Sequence, residues 1–362
     1  MTERILPIVE PPIYGYLCNA YPLAIALQNK NAEAWFFSNF IQLVSAGNFP
    51  EGKFFNFYNS YYEWDTMFLS CPFINFQKIH YNYLEKYEGN LVEFMCDSIN
   101  TDGYIYLYVD EYYISHMEAY FDYHMFHEML VFGYNKEKKK FNVLGYNSKR
   151  VFGQYEVDFD ELVTAFRMCD KTISNRKYIY ILEYNEDYQY DFDLQLVFQS
   201  LKHYRFSLNS SLNFRALHSP NYWWIYGMSA YELFLKYLRH NIGELHERID
   251  DRLFHTIWEH KNVMVERIKY MMENEIIKND GSLLNAYTYI SECSLILKNL
   301  VLKYNFKEGK RLLDNIVEKL TEIKKCEEAA VDLFLNVLGS TLQDEKSEWN
   351  EYSQPTSASP AI

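Results

Sequence analysis

Three β-rich runs between residues 104 and 146 most limit what this chain can fold into. They span residues 104–110, 127–134 and 141–146 and are rich in tyrosine, valine and other strand-forming residues. The polar segment 135–140 joins the last two runs, which predicts a β-hairpin. A further strand is predicted over 177–184, after a helix near 159–168. We therefore expect an antiparallel sheet in the first half of the chain.

Helical patterns precede and follow this sheet region. In the first half they cover residues 19–28, 33–45 and 91–98. After about residue 195 the strand signals fade, and Ser229 and Glu232 form a capping box that opens a helix reaching about Asn241. Two later segments carry apolar residues at helical spacing, at Leu253, Ile257, Met264, Ile268 and Met271 and at Leu313, Ile316, Leu320, Ile323, Val331 and Phe334. We expect about four or five helices in this region.

The succession of these patterns predicts an α+β protein. A chain of 362 residues is long enough for two domains with a sizeable core. We expect a mixed helix-and-sheet domain over 1–195, an all-α domain over 196–340 and a disordered tail over 341–362. The end of the tail is rich in Ser, Pro, Thr and Ala, which are too small and polar to pack.

Cys18 lies at the entrance to the first predicted helix, and His127 opens the second β-rich run. A helix N-terminus stabilises the thiolate, which is the nucleophilic form of cysteine. A histidine from elsewhere in the fold completes such a pair by accepting the thiol proton. The order of the two residues is typical of papain-type thiol enzymes. The competing interpretation is that Cys18 is a buried apolar residue, as most free cysteines are.

Charge and cysteine spacing argue against several other classes of protein. The net charge of −14 disfavours a nucleic-acid-binding surface, which is normally basic. The six cysteines show no close pairing and no metal-ligand spacing, which favours a reduced, cytoplasmic protein. The N-terminus lacks the pattern of a signal peptide, and no apolar run is long enough to predict a membrane span.

Three short motifs, in order along the chain, resemble the butirosin biosynthesis protein H family, which is related in fold to the C39 peptidases. They are the segment around Cys18, the Asp-Glu-Tyr-Tyr run at 110–113, and His127 at the head of a His-x-x-Leu-Val-x-Gly-Tyr strand. Segments 226–232 and 259–261 are also similar to the C-terminal region of that family. The resemblance implies a papain-like, C39-like domain followed by helices, with Cys18 and His127 as catalytic residues.

One position departs from the family pattern. Where the family commonly carries an Asp on the second strand of the hairpin, this chain has Gly145. Asn147 lies two residues further on and therefore on the same face of the strand, and an Asn is able to orient a catalytic histidine. The candidate triad is Cys18, His127 and Asn147, with Asn142 and Asp110 in reserve for the third position.

An oxyanion site requires hydrogen-bond donors directed at the developing negative charge. The backbone N–H of Cys18 is the expected first donor, and the side chains of Tyr14 and Tyr16 are candidates for the second. His124 and His127, with Glu128, do not suggest a zinc site, because the segment passes into a strand rather than a helix face. We expect no metal.

Residues 136–150 contain six basic residues and one acidic residue. This basic hairpin is either a solvated turn or a docking patch for an acidic partner. The candidate docking residues are Lys138, Lys139, Lys140, Lys149 and Arg150.

The resemblance implies an acyltransferase that forms an amide from a carrier-protein thioester and an amine in antibiotic or natural-product biosynthesis. The butirosin family attaches an acyl group in this way, and assembly of polythioamides such as closthioamide requires similar amide formation. The phosphopantetheine would arrive on an acyl or peptidyl carrier protein, so no resident cofactor is expected. Two alternatives stay open: a cysteine peptidase or amidase that uses water, and a catalytically inactive binding or immunity protein. The acyl group, the amine and the oligomeric state are not determined.

Overall fold

The computed structural model describes residues 1–49, 54–59, 67–86, 90–243, 248–278, 281–307 and 309–352. It divides into two units, Met1–Glu33 with Tyr61–Tyr190 and Ala34–Ser60 with Asp191–Ile362. Helices and an antiparallel sheet occur together, which confirms the predicted α+β class.

The strands of the described residues are β1 (Glu3–Ile5), β2 (Leu43–Ser45), β3 (Phe55–Phe57), β4 (Ile74–His80), β5 (Tyr104–Asp110), β6 (Phe126–Asn135), β7 (Lys140–Tyr146), β8 (Phe152–Asp158), β9 (Tyr178–Tyr184) and β10 (Ile225–Tyr226). The α-helices are α1 (Leu17–Ala26), α2 (Asn31–Ser38), α3 (Tyr81–Lys86), α4 (Leu91–Asn100), α5 (Phe159–Met168), α6 (Leu194–Arg205), α7 (Ala230–Gly243), α8 (Asp251–Glu273), α9 (Ser282–Phe306) and α10 (Lys310–Tyr352).

A seven-stranded antiparallel sheet forms the centre of the first unit as the structure describes it. Its strand order is β4-β9-β5-β6-β7-β8, and β1 pairs with the last residues of β6. The predicted hairpin is confirmed, because β6 and β7 pair across the polar turn at 135–140. The pairing of β6 with β7 runs from the turn to Leu130 and Leu144. The candidate site lies beyond that point.

The segment 34–60 belongs to the second unit, although the sequence places it in the first domain. The prediction of a helix over 33–45 is wrong in this segment, because α2 ends at Ser38 and residues 43–45 form β2 between β3 and β10. Arg267 explains the early end of α2: its buried guanidinium donates to the carbonyls of Phe37, Asn39 and Phe40. A side chain far along the sequence thus satisfies the helix C-terminus.

Helices α6 to α10 form the rest of the second unit. α8 packs against α9, and α10 packs against α6, α7 and α9. The apolar residues named above on α8 and α10 are all buried, as their spacing predicts. The last helix is longer than expected: α10 continues through residues 341–352 of the predicted disordered tail, and residues 353–362 lie outside the described residues.

The second unit also encloses a charged hydrogen-bond network. Lys261 Nζ contacts a carboxylate oxygen of Glu327, the Tyr204 hydroxyl at 2.9 Å and His260 Nδ1 at 2.8 Å, so all three ammonium hydrogens have acceptors. Glu327 also accepts from Tyr204 at 3.0 Å and from Tyr231 at 2.6 Å. Lys261 and Glu327 are fully buried, and burial lowers the pKa of Lys261. The network compensates two charges inside an apolar helical core.

Candidate active site

The candidate site begins where β5 and β6 meet at one end of the sheet. In this pair Val109 lies opposite His127 and Asp110 lies opposite Phe126. Beyond β5 the chain makes a short turn over Glu111–Tyr113, and the Asp110 side chain caps this turn by accepting the N–H of Tyr112. The two acidic residues Asp110 and Glu111 therefore leave the strand next to the start of β6.

Glu111 orients His127. Its Oε1 lies 3.0 Å from His127 Nδ1, and the Glu111 N–H donates to the carbonyl of Met125 at 2.8 Å. The His127 side chain is 37% exposed, whereas that of Glu111 is 11% exposed. A carboxylate that accepts from Nδ1 fixes the tautomer, so that Nε2 carries the lone pair that takes part in proton transfer.

Asp110 holds a second histidine, His124. His124 Nδ1 lies 2.7 Å from Asp110 Oδ2, and Asp110 Oδ1 accepts the N–H groups of Tyr112 and Met125 at 3.2 and 3.3 Å. Asp110 is almost completely buried, whereas the side chain of His124 is 57% exposed. Two adjacent carboxylates therefore each hold one imidazole: Glu111 holds that of His127, and Asp110 holds that of His124.

Cys18 lies in the first turn of α1, one residue after its start, rather than just before the helix. It is only 8% exposed. Tyr21, one helical turn later, donates from its hydroxyl to the carbonyl of Glu128 at 3.1 Å. This bond joins the beginning of α1 to the residue that follows His127. Cys18 and His127 thus belong to neighbouring elements, α1 and β6, of the first unit.

Gly145 lies directly beside Tyr21. A Cβ at residue 145 would lie 3.3 Å from the Tyr21 hydroxyl. Because Val131 pairs with Val143, the alternation of side chains places residues 127 and 145 on the same face of the sheet. The phenol occupies the space that an Asp would enter. Burial raises the pKa of Tyr21 well above its usual value, so the phenol is a neutral donor.

Asn147 and Asn142 have other roles in the structure. The Asn147 side-chain oxygen accepts the N–H groups of Lys149 and Val151 at 2.9 and 3.0 Å, which closes the turn between β7 and β8. Asn142 lies opposite Gly133, toward the other end of β6 from His127. The carboxylate that contacts His127 is that of Glu111.

The two tyrosines considered for an oxyanion site precede α1. The carbonyl of Tyr14 accepts from the Tyr146 hydroxyl at 2.8 Å, and its ring stacks on Phe152 at 5.4 Å. Tyr16 is the N-cap residue of α1, and its carbonyl accepts the N–H groups of Asn19 and Ala20. Both residues fix the approach of the chain to Cys18.

The positive charge of the basic hairpin is largely balanced by acidic neighbours. Lys138 pairs with Glu156 at 3.5 Å, and Lys140 pairs with Asp158 at 3.0 Å. Arg150 forms two bonds with Glu118, at 2.8 and 2.9 Å. Lys139 and Lys149 are exposed. Exposed ion pairs of this kind contribute at most about 1 kcal/mol and exchange partners easily.

Glu111 is the residue that sequence reasoning missed. It stands beside Asp110, the reserve candidate, within the Asp-Glu-Tyr-Tyr motif. The signal that could have identified it is the pairing of β5 with β6: once Val109 is placed opposite His127, Glu111 follows two residues after Val109, just past the end of β5.

No family model matches the chain, and the comparison with curated proteins finds no match. Within the described ranges, no group of three or more His, Cys, Asp or Glu side chains is placed to hold a metal ion. In the part of the chain that the structure covers, no helix is long and apolar enough to cross a membrane.

Proposed function

We propose that this chain is a cytoplasmic, cysteine-dependent acyltransferase with a papain-like, C39-like catalytic domain. It moves an acyl group from a carrier-protein thioester through Cys18 to an amine and forms an amide in natural-product biosynthesis. The observation that carries the proposal is the 3.0 Å contact between Glu111 and His127. The residue after His127, Glu128, accepts a hydrogen bond from Tyr21 of the helix that bears Cys18. A buried acid, an imidazole and a thiol at a helix N-terminus are the parts that thiol acyl transfer requires.

The first step forms the acyl-enzyme. His127 Nε2 takes the proton of Cys18, and the thiolate attacks the thioester carbonyl. The tetrahedral intermediate then collapses, the carrier thiolate leaves, and the proton on His127 passes to it. Exchange of one thioester for another is nearly isoenergetic, so this step needs no ATP. Glu111 stabilises the imidazolium that exists between the two proton transfers.

The second step consumes the acyl-enzyme. An amine attacks the Cys18 thioester, the C–S bond breaks, and an amide is released. With water as the nucleophile the same residues would give a hydrolase, so transfer and hydrolysis differ only in the acceptor. The gain in stability from thioester to amide drives the transfer.

Intact-mass spectrometry tests this function directly. The protein is mixed with acetyl-N-acetylcysteamine as a small thioester, and the mass is followed with and without added butylamine. We expect one acetyl adduct on Cys18 that butylamine discharges to N-butylacetamide faster than water does. Discharge by water alone would identify a hydrolase, and the absence of any adduct would contradict a thiol mechanism.

Glu111→Gln is expected to slow acylation of Cys18 by about 10²–10⁴-fold, because the amide no longer stabilises the imidazolium or selects the tautomer. Stopped-flow or quenched mass spectrometry of the adduct measures this rate. Glu118→Gln, which removes an exposed carboxylate of the neighbouring turn, is the matched control and should acylate normally. Equal rates for all three proteins would remove Glu111 from the mechanism.

The double variant Lys138→Glu/Lys139→Glu tests the basic hairpin as the carrier docking patch. We expect the KM for an acyl-carrier protein to rise about tenfold or more, since charge reversal repels an acidic partner. The KM for the small thioester should stay unchanged. Lys30→Glu, which alters an exposed lysine outside the hairpin, is the control. An unchanged KM for the carrier would leave the hairpin as a solvated turn.

A further inference from the structure

We infer that Lys298 is a nucleophilic lysine that captures an aldehyde or ketone as an imine, with His255 as the base. A chain of contacts runs from the buried carboxylate of Glu259 through the His255 imidazole to the Lys298 amine. All three residues belong to the second unit. Their chemistry is independent of the acyl transfer proposed at Cys18 and adds a second reactive site to the chain.

Helix α8 holds the carboxylate and the imidazole. His255 and Glu259 are four residues apart and therefore share one face of the helix. His255 Nε2 lies 3.0 Å from Glu259 Oε1, and the Glu259 side chain is fully buried. Because a carboxylate only accepts hydrogen bonds, Nε2 carries the proton of the neutral imidazole and Nδ1 keeps the lone pair.

The amine of Lys298 contacts the nitrogen with that lone pair. Helix α9 packs against α8 and places Lys298 Nζ 3.3 Å from His255 Nδ1. Lys298 thus donates to His255, and His255 donates to Glu259. A proton that leaves the amine has an acceptor, and the imidazolium that forms has a buried counterion. The order of carboxylate, imidazole and nucleophile is the one that activates serine and cysteine nucleophiles.

Partial burial makes the amine of Lys298 more reactive. It lowers the pKa of Lys298, and the negative charges of Glu259 and Asp251 only partly oppose this effect. A lysine that is desolvated in this way has more of the neutral, nucleophilic amine at neutral pH. The side chain is still partly exposed, so a small electrophile reaches it from solvent. Leu295, one turn earlier on α9, is 39% exposed and offers an apolar contact to the carbon chain of that electrophile.

Trp258 indicates which class of electrophile fits. The Nζ of Lys298 lies over the Trp258 ring, 4.1 Å from its centroid. An aromatic face and the carboxylates of Glu259 and Asp251 favour a nitrogen that stays positively charged. The protonated imine made from an aldehyde or ketone keeps this charge, whereas the amide made from an acyl donor loses it. The site therefore favours a carbonyl compound over an acyl donor.

Atoms and charges balance over the capture. The Lys298 ammonium gives one proton to His255 Nδ1, and the neutral amine attacks the carbonyl carbon. As the C–N bond forms, a second nitrogen proton passes to the carbonyl oxygen and gives a carbinolamine. His255 then gives its proton to that hydroxyl, water leaves as the C–O bond breaks, and a protonated imine remains on Lys298. Hydrolysis reverses these steps and regenerates the lysine.

Reductive trapping tests this assignment. The protein is incubated at neutral pH with butanal and sodium cyanoborohydride, which reduces an imine to a stable secondary amine, and peptide mass mapping locates the labelled lysines. We expect Lys298 to be labelled at least about tenfold faster than Lys303, an exposed lysine of the same helix. Lys298→Arg, which keeps the positive charge, should lose the fast label. Equal rates at Lys298 and Lys303 would overturn the inference.

His255→Gln tests the base. A glutamine amide is still able to donate to Glu259 but cannot take a proton, so labelling of Lys298 should slow about tenfold or more. Labelling of Lys303 should stay unchanged, and circular dichroism verifies that the variant is folded. His218→Gln, a histidine elsewhere in the second unit, is the matched control. Unchanged labelling of Lys298 in His255→Gln would overturn the role of His255.

Cys18→Ala separates this site from the proposed acyl transfer. The variant should label Lys298 at the wild-type rate, because imine formation uses no thiol. A loss of the fast label in Cys18→Ala would overturn the independence of the two sites.

Discussion

Replacing Cys18 with alanine is expected to abolish acyl-adduct formation and to lower the rate of amide formation by about 10³-fold or more. The reason is that, in the proposed mechanism, Cys18 supplies the atom to which the acyl group is attached. Intact-mass analysis and product chromatography after incubation with the small thioester measure both effects. Since the thiol is small and largely buried, alanine should cost little stability.

Cys326→Ala is the control for this experiment. No disulfide joins any of the six cysteines, all of which lie in the described residues, and Cys326 is a partly exposed one in the second unit, open to nonspecific acylation. It should lose no activity and no specific adduct. If Cys18→Ala formed amide at the wild-type rate, the mechanism through Cys18 would fail.

Replacing Glu327 with leucine should lower the free energy of unfolding by about 3–5 kcal/mol. The substitution leaves the Lys261 ammonium inside the helical core without its counterion and leaves the hydroxyls of Tyr204 and Tyr231 without their acceptor. Urea denaturation followed by far-ultraviolet circular dichroism measures this loss, because most of the helical residues in the described part of the chain belong to the second unit.

Two further variants show whether the charge causes this loss. Glu328 is the next residue of α10, and its carboxylate lies 3.7 Å from Lys324 at the surface. Glu328→Leu removes this exposed charge and should lower the free energy of unfolding by no more than about 1 kcal/mol. The double variant Lys261→Met/Glu327→Leu removes both charges and should recover much of the stability lost in Glu327→Leu. A double variant less stable than the single one would contradict the explanation by an uncompensated charge.

The two C-terminal segments that carry the family resemblance supply members of this network. Tyr231 lies in segment 226–232, and His260 and Lys261 lie in segment 259–261. His260 Nε2 also donates to the carbonyl of Ile41 at 2.7 Å, and burial lowers the pKa of this histidine well below its usual value. These residues act in the core of the helical unit, which gives the segments a structural role.

Local patterns in the sequence determined much of the secondary structure. Alternation and composition located β5, β6, β7 and β9, and helical spacing located α5, α8 and α10, because each pattern depends only on residues a few positions apart. The same reasoning placed Cys18 at the start of a helix and His127 at the start of a strand. It failed over 33–45, where a buried arginine from α8 ends the helix.

Only the tertiary structure decided which polar groups meet. Glu111 and His127 are 16 residues apart, and Lys261 and Glu327 are 66 residues apart, so no local period connects either pair. The sequence by itself determined a thiol, an imidazole and the strands that carry the hairpin. The register of β5 against β6 brings the Glu111 carboxylate into contact with the His127 imidazole. The Tyr21 hydroxyl fills the space beside Gly145. Side-chain partners follow from how strands and helices pack, and packing is set by the whole chain.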